Sequence, residues 1–407
     1  MGLERLEPHI TRAIAELEAA GRRKGREPVI AGVKPAQDGA GPRYFLAGYG
    51  ERAFLRMNAN SYLGLAHHPK LIEAEARAAE RFGAGPGAVR FISGTFAPHV
   101  ELERALAAFH GRESAMLMSA AYAAVMGVLP QLISDATAVI SDELNHNSII
   151  NAVRLARPAA KAIYPHLDVT GLERALAAYA GKARRAVVVT DGVFSMRGDH
   201  APLEKIAAIC QKHEPAYPEG VITIVDDSHG VGAFGRTGRG TEEITGARAD
   251  LLIGTLGKAL GVNGGYVAAS RTMIDYLRET APFYIYSNPI TPAEAAAALA
   301  ALDILSSSEG AARLERLRRL AARLRAGLGA LGLETIAAEH PIVPLIIRDT
   351  QKTAALVRHC FERNILVTGL TYPVVPKGEE EIRLQLSADQ TERDVDELLD
   401  VLKKFRR

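Results

Sequence analysis

Five short apolar runs, each ending in polar residues, constrain this chain more than any other feature. They are "AMLMS" (115–119), "AVIS" (138–141), "AVVVTD" (186–191), "VITIVDD" (221–227) and "LLIGT" (251–255). They are compact, partly β-branched and mainly apolar up to those ends, as strands buried on both faces are. Longer Ala- and Leu-rich segments with helical spacing, such as 202–213, lie between them. Strands alternating with helices imply right-handed βαβ units and a mainly parallel sheet covered on both sides. After about residue 290 the texture changes. "PAEAAAALAALDIL" leads into "ARLERLRRLAARLRAGLGALG", and "IVPLIIRD", "ILVTG" and "EIRLQLS" then alternate with two further helices. The expected organisation is an N-terminal arm and helix over 1–55, a large domain over 56–290 and a smaller C-terminal α/β domain over 291–407.

The setting is narrowed by charge and cysteine usage. The 407 residues are 48% hydrophobic with a net charge of +2, and the charges are interspersed with no basic block, so neither a nucleic-acid nor a membrane partner is expected. Cys210 and Cys360 stand far apart and make no metal-ligand or CxxC spacing, which fits a reducing compartment and gives no candidate metal site. The N-terminal "MGLERLEPHITRAIAELE" carries acidic residues and a helical stripe, Leu6, Ile10, Ile14 and Leu17, unlike a signal peptide. A cytoplasmic enzyme is the expected class.

In a parallel sheet, ligands sit beyond the carboxyl ends of the strands. The segments found there are "SAAY", "SDELNHNSII", "TDGVFSMRGD", "DDSHGVGAFG" and "GTLGKALG". Lys258, in the last of these, does not belong to a nucleotide P-loop: Leu252 stands where that loop needs its first Gly, and Ala259 where it needs Ser or Thr. No GxGxxG follows the first strand. A cofactor aldehyde such as pyridoxal phosphate needs a lysine amine, a carboxylate for its pyridine nitrogen, donors for its phosphate and a flat group against its ring. Lys258, Asp226, His229 and His146 offer an amine, a carboxylate and two imidazoles at strand ends. A lone lysine on a turn, or a lone core histidine, is commonplace; the joint occurrence is what points to this chemistry.

"NANSYLGLAHHP", "VRFISGT", "SDELNHNSII", "TDGVFSMRGD", "DDSHGVGAFGRTGRG" and "GTLGKALG" resemble, in order and spacing, the α-oxoamine synthases. These are fold-type I pyridoxal-phosphate enzymes that condense an amino acid with an acyl thioester. The resemblance implies Lys258 as the Schiff-base lysine, Asp226 on the pyridine nitrogen, His229 and Ser195 near the phenolic oxygen, and His146 stacked on the ring. Thr255 and the backbone amides of Ala121 and Tyr122 would bind phosphate, with Ser287 reaching across from a second subunit of a homodimer. Asn60 and Arg383 would hold the amino-acid carboxylate. The tail "VTGLTYPVVPKGEEEIRLQLSADQT" is most similar to the 2-amino-3-ketobutyrate coenzyme A ligase branch, which implies glycine and a short acyl-coenzyme A, acetyl first, as substrates. Val89, beside Arg90, is expected to narrow the space at the substrate α-carbon. The alternatives are a decarboxylating synthase with another amino acid or acyl donor, and an aminotransferase or lyase that uses no acyl donor. Two departures from the family stand out: the apolar "SAAYAAVMGVL" after the first strand, and the insertion "KHEPAYPEG" before the Asp226 strand.

Overall fold

The computed structural model describes residues 2–405 apart from 21, 24 and 373, so the outer ends of the expected N-terminal arm (1–55) and expected C-terminal domain (291–407) lie outside the described residues. A seven-stranded sheet forms the centre, in the order Ser114–Met118, Gly265–Ala269, Leu251–Thr255, Val221–Asp226, Arg185–Asp191, Thr137–Asp142, Ala160–Tyr164. Gly265–Ala269 runs antiparallel to both neighbours, and the four other neighbouring pairs are parallel. All five apolar runs of the sequence are therefore strands of one sheet. Two more strands join them, Ala160–Tyr164 and Gly265–Ala269.

Helices cover both faces, which is why those runs carry no polar alternation. On one side, Ala121–Leu132, Asn147–Ala156 and Arg271–Thr280 pack on Met116, Val139, Val187, Ile224 and Ile253. On the other, Val169–Tyr179 and Leu203–His213 cover Ile140, Val188 and Val225. Ala97–His110, Pro292–Leu305 and Ser308–Ala330 bury Leu117, Leu252 and Tyr266 in a core that continues into the C-terminal region.

Two small sheets complete the molecule. Ile342–Ile346, Glu381–Gln385 and Thr368–Leu370 form an antiparallel sheet with Glu381–Gln385 at its centre. Ile30–Lys34, Arg43–Leu46 and Ala53–Arg56 form a meander to which Ile365–Leu366 adds in parallel, tying the N-terminal strands to the C-terminal region. The Gln385 amide N–H bonds the Met57 carbonyl at 2.9 Å, so the chain just before Asn60 is stitched to the strand that carries Arg383. The expected N-terminal helix is present as Gly2–Ala19, and none of its residues is buried.

The insertion at 212–220 is a packing element that leads into the amino end of Val221–Asp226, the end opposite Asp226. It forms a short turn, Glu214–Ala216, and buries Tyr217, whose hydroxyl donates to the Leu176 carbonyl at 2.6 Å. Both cysteines are buried free thiols, and burial pushes each up to about 12. Among the described residues no helix is long and apolar enough to cross a membrane, and no cluster of His, Cys, Asp and Glu could hold a metal ion.

Candidate active site

A cavity of about 270 Å³ opens where the sequence placed it, beyond the carboxyl ends of the central strands. Lys258, Asp226, His229, His146, Thr255, Ala121 and Tyr122 all line it. Ala120, Ser148, Asp191, Val193 and Ser228 complete the wall.

Lys258 follows the strand Leu251–Thr255 on a tight loop in which Gly261 N–H bonds the Lys258 carbonyl at 3.1 Å. Burial pushes its amine down to about 8, against the opposing pull of Asp226 and Asp191. An ammonium stripped of water loses solvation, so the free amine forms within reach of neutral pH. Asp226 terminates Val221–Asp226 and accepts the Ser228 N–H at 3.1 Å. Behind it, Asp227 is fully buried and takes two 2.7 Å bonds from the Thr241 N–H and hydroxyl, which pins the turn that carries His229.

His229 is buried, and its Nδ1 lies 2.7 Å from the Tyr62 hydroxyl. Burial, followed by the nearby Lys258 and Arg383 charges, holds this imidazole well below its ordinary value, so it stays neutral. The phenol has one hydrogen and two acceptors in reach, His229 Nδ1 and, at 3.2 Å, Asn60 Oδ1; when it goes to Nδ1, Nε2 carries the ring hydrogen and His229 is a donor. His146 caps the helix Asn147–Ala156: its Nδ1 accepts from the Ser148 N–H at 3.2 Å and meets the Ser148 hydroxyl at 2.7 Å. That cap fixes the ring at the cavity wall. Burial also lowers His146.

The anion end is equally defined. Ala121 and Tyr122 open the helix Ala121–Leu132, which has no side-chain cap, so its first N–H groups are free for an anion. The close approach of this helix to the sheet needs Gly265, where a Cβ would lie 2.3 Å from the Ala121 nitrogen. Thr255 Oγ1 accepts from the Gly257 N–H at 3.1 Å at the same end of the cavity. An amine, a carboxylate, two fixed imidazoles and an uncapped helix N-terminus fit pyridoxal phosphate in every part of that cofactor.

The model of the aminotransferase class I and II family matches residues 52–402. The 8-amino-7-oxononanoate synthase of Geobacter metallireducens is 43% identical over 348 residues, which is 85% of this chain and 87% of its own length. The mitochondrial 2-amino-3-ketobutyrate coenzyme A ligase of Bos taurus is 41% identical over 341 residues, 83% of this chain and 79% of its own. The chain belongs to the α-oxoamine synthase family. A Sphingomonas wittichii serine palmitoyltransferase structure superposes with a TM-score of 0.87 at 28% identity, covering 99% of this synthase and 97% of that chain. An SPT structure holding PLP as its internal aldimine gives 0.87 at 26% identity, covering 99% and 98%. The synthase is thus a fold-type I, PLP-dependent acyltransferase.

The remaining expected residues lie outside this cavity wall. Arg383 and Asn60 are joined to each other: Arg383 Nη2 donates to Asn60 Oδ1 at 2.8 Å, the Tyr62 hydroxyl lies 3.2 Å from the same oxygen, and the Gln385 amide also contacts it. Through Tyr62 the pair reaches His229. Ser195 lies two residues past Val193 on the loop after Arg185–Asp191, half-buried but off the wall. Ser287 stands on the exposed turn after the helix Pro282–Ile285, and Val89 does not line the cavity of its own chain either.

Three residues that structure brings into play carried no role in the sequence reading. Tyr62 and Asp191 lie inside the motifs "NANSYLGLAHHP" and "TDGVFSMRGD" but had no assigned chemistry. His340 is fully buried, and its Nε2 lies 2.8 Å from the His229 carbonyl. It comes from a distant segment, "AEHPIVP", with no local signal at all.

Proposed function

We propose that this synthase condenses glycine with a short acyl-coenzyme A, acetyl first, to give a 2-amino-3-oxo acid and free coenzyme A. The observation that carries the amino-acid half is Arg383, which Asn60 holds at 2.8 Å and whose charge reaches Lys258. A guanidinium so placed receives a carboxylate. Such a contact contributes about 1.5–3 kcal/mol. The tail around Arg383 resembles the ligase branch.

Lys258, Asp226, His229, His146, Thr255 and the amides of Ala121 and Tyr122 would hold pyridoxal phosphate. Bound there, the cofactor supplies an electron sink for the substrate α-carbon. Arg383 and Asn60 fix the carboxylate, and with it the direction of the α-hydrogen. Lys258, its amine lowered to about 8, accepts that proton and can return it. His229, kept neutral and oriented by Tyr62, donates a hydrogen bond where negative charge gathers. The deprotonated α-carbon attacks the thioester carbonyl carbon, and the C–S bond breaks to release the coenzyme A thiolate.

We also propose a homodimer in which Ser287 serves the partner's phosphate site. Ser287 does not line its own cavity, its neighbour Tyr286 is 77% exposed, and the apolar stripe of Gly2–Ala19 is uncovered. Mixing an inactive Lys258→Ala protein with an impaired Ser287 variant restores activity if sites are shared.

The second reading is a decarboxylating synthase acting on alanine with a longer donor, favoured by the 43% identity to the Geobacter enzyme. The 41% identity to the bovine ligase is too close to that figure to separate the branches. Thiol release measured across glycine, alanine and serine, and across acetyl, pimeloyl and palmitoyl donors, decides between them. One methylene discriminates by about 1–3 kcal/mol, so alanine is expected to be a poorer substrate, not a silent one. A higher specificity constant for alanine or a pimeloyl donor moves the synthase to the other branch.

A further inference from the structure

Two carboxylates end adjacent strands side by side in this cavity. Asp191 and Asp226 are register partners in the parallel pair Arg185–Asp191 and Val221–Asp226, both line the cavity, and they are 4% and 6% exposed. Register partners on neighbouring strands project to the same side of the sheet. Burial disfavours the charged form of an acid, and a second acid level with it on the next strand adds to that cost.

Their surroundings differ. Asp226 accepts the Ser228 N–H, and its charge acts on Lys258 more strongly than that of Asp191 does. Asp191 receives the His146 backbone N–H, but its Oδ1 is buried with no partner. Burial first, then the charge of Asp226 and that of Asp142 on the next strand, push Asp191 up; the His146 amide and Lys258 oppose this and do not win. Asp142 is itself occupied, by the Leu144 and Leu167 N–H groups and by His166. It offers Asp191 charge but no hydrogen bond.

The sheet order says where the Asp191 proton points. Thr255 and the Ala121 and Tyr122 amides follow strands on one side of Val221–Asp226, whereas Arg185–Asp191 lies on the other. A pyridoxal ring with its phosphate at the first side turns its phenolic edge to the second. We infer that Asp191 is the neutral acid of the pair and donates its O–H to that edge, while Asp226 faces the ring nitrogen. The inference rests on the family's cofactor and not on which amino acid or donor the synthase uses.

The test compares the holoenzyme with Asp191→Asn, a near-isosteric neutral donor, and Asp191→Ala. Infrared spectra are expected to show a protonated-carboxyl stretch that Asp191→Asn removes. Asp227 and Glu381, raised by burial to about 7 and about 8, contribute such bands to both proteins and cancel in the difference. The pH midpoint of the cofactor's visible absorption is expected to stay where it is in Asp191→Asn. Cofactor affinity should change less than about threefold in that variant and fall about tenfold in Asp191→Ala, a loss the size of one hydrogen bond. No carboxyl band lost from Asp191→Asn, or a midpoint lower by about one unit or more, means that a buried negative charge was removed, and overturns the inference. Should the amide not be accommodated, Asp191→Ser keeps a neutral donor, and the same unmoved midpoint is required of it.

Discussion

Replacing Tyr62 by Phe removes one oxygen from the interior and tests how the substrate clamp is joined to the cofactor site. The hydroxyl meets His229 Nδ1 at 2.7 Å and Asn60 Oδ1 at 3.2 Å, and the residue is fully buried. Burial pushes the phenol up to about 12, so it acts as a neutral donor at every working pH. In the variant, His229 keeps its place but loses its side-chain partner among the described residues. A buried polar atom left unpaired costs about 1–3 kcal/mol. Asn60 loses less, because Arg383 still donates to it at 2.8 Å. The consequences separate cleanly. Urea unfolding should show a loss of stability within that range at unchanged m-value. In steady state, kcat should fall about 5- to 150-fold, the same energy expressed as rate, while KM for the amino acid stays within about twofold. A raised KM at full kcat would mean that Tyr62 serves the carboxylate clamp and not the imidazole. Unchanged stability and kinetics would mean that the His229 contact carries no weight.

Three further outcomes are expected. Borohydride treatment should fix the cofactor to a peptide containing Lys258, and Lys258→Ala should abolish both the label and turnover; a label elsewhere overturns the site. Arg383→Ala should lower kcat/KM for the amino acid by about one to two decades with little effect on cofactor binding, which equilibrium titration checks. The third concerns pH. Lys258 lies at about 8 in the fold against 10.5 unperturbed, so between those values the unfolded chain binds the extra proton and the cofactor-free protein gains stability as pH rises. Below pH 8 both states are protonated and the contribution is flat. Lys258→Met should erase the rise, and equal urea midpoints for the two proteins at both ends of the window refute it.

The parallel core was legible because its strands are buried on both faces and therefore read as unbroken apolar runs. The two strands that were not legible lack that property for physical reasons. Ala160–Tyr164 is an edge strand, half-exposed along its length, and "AKAIY" carries an alternation too short to stand out. Gly265–Ala269 is fully buried, but its "GYVAA" keeps small residues where the sheet meets other backbone, and Gly265 admits the helix at Ala121. Small side chains that allow close approach look, in sequence, like a loop.

The site divides along a similar line. Residues that stand at or just past the end of their own strand, Asp226, Thr255 and Lys258, or at a helix start, His146 and Ala121, are readable as cavity residues because local structure alone delivers them there. Tyr62, Arg383 and His340 reach His229 or its partners only through tertiary contacts, spanning 167, 323 and 111 residues of sequence. No periodicity marks such residues, because their spacing along the chain has no bearing on their spacing in the fold. Asp191 is different again. It sits at a readable strand end, yet its meaning depends on being level with Asp226 on the neighbouring strand, a fact of register. Sequence names both acids; only the pairing says that each adds to the cost of the other's charge.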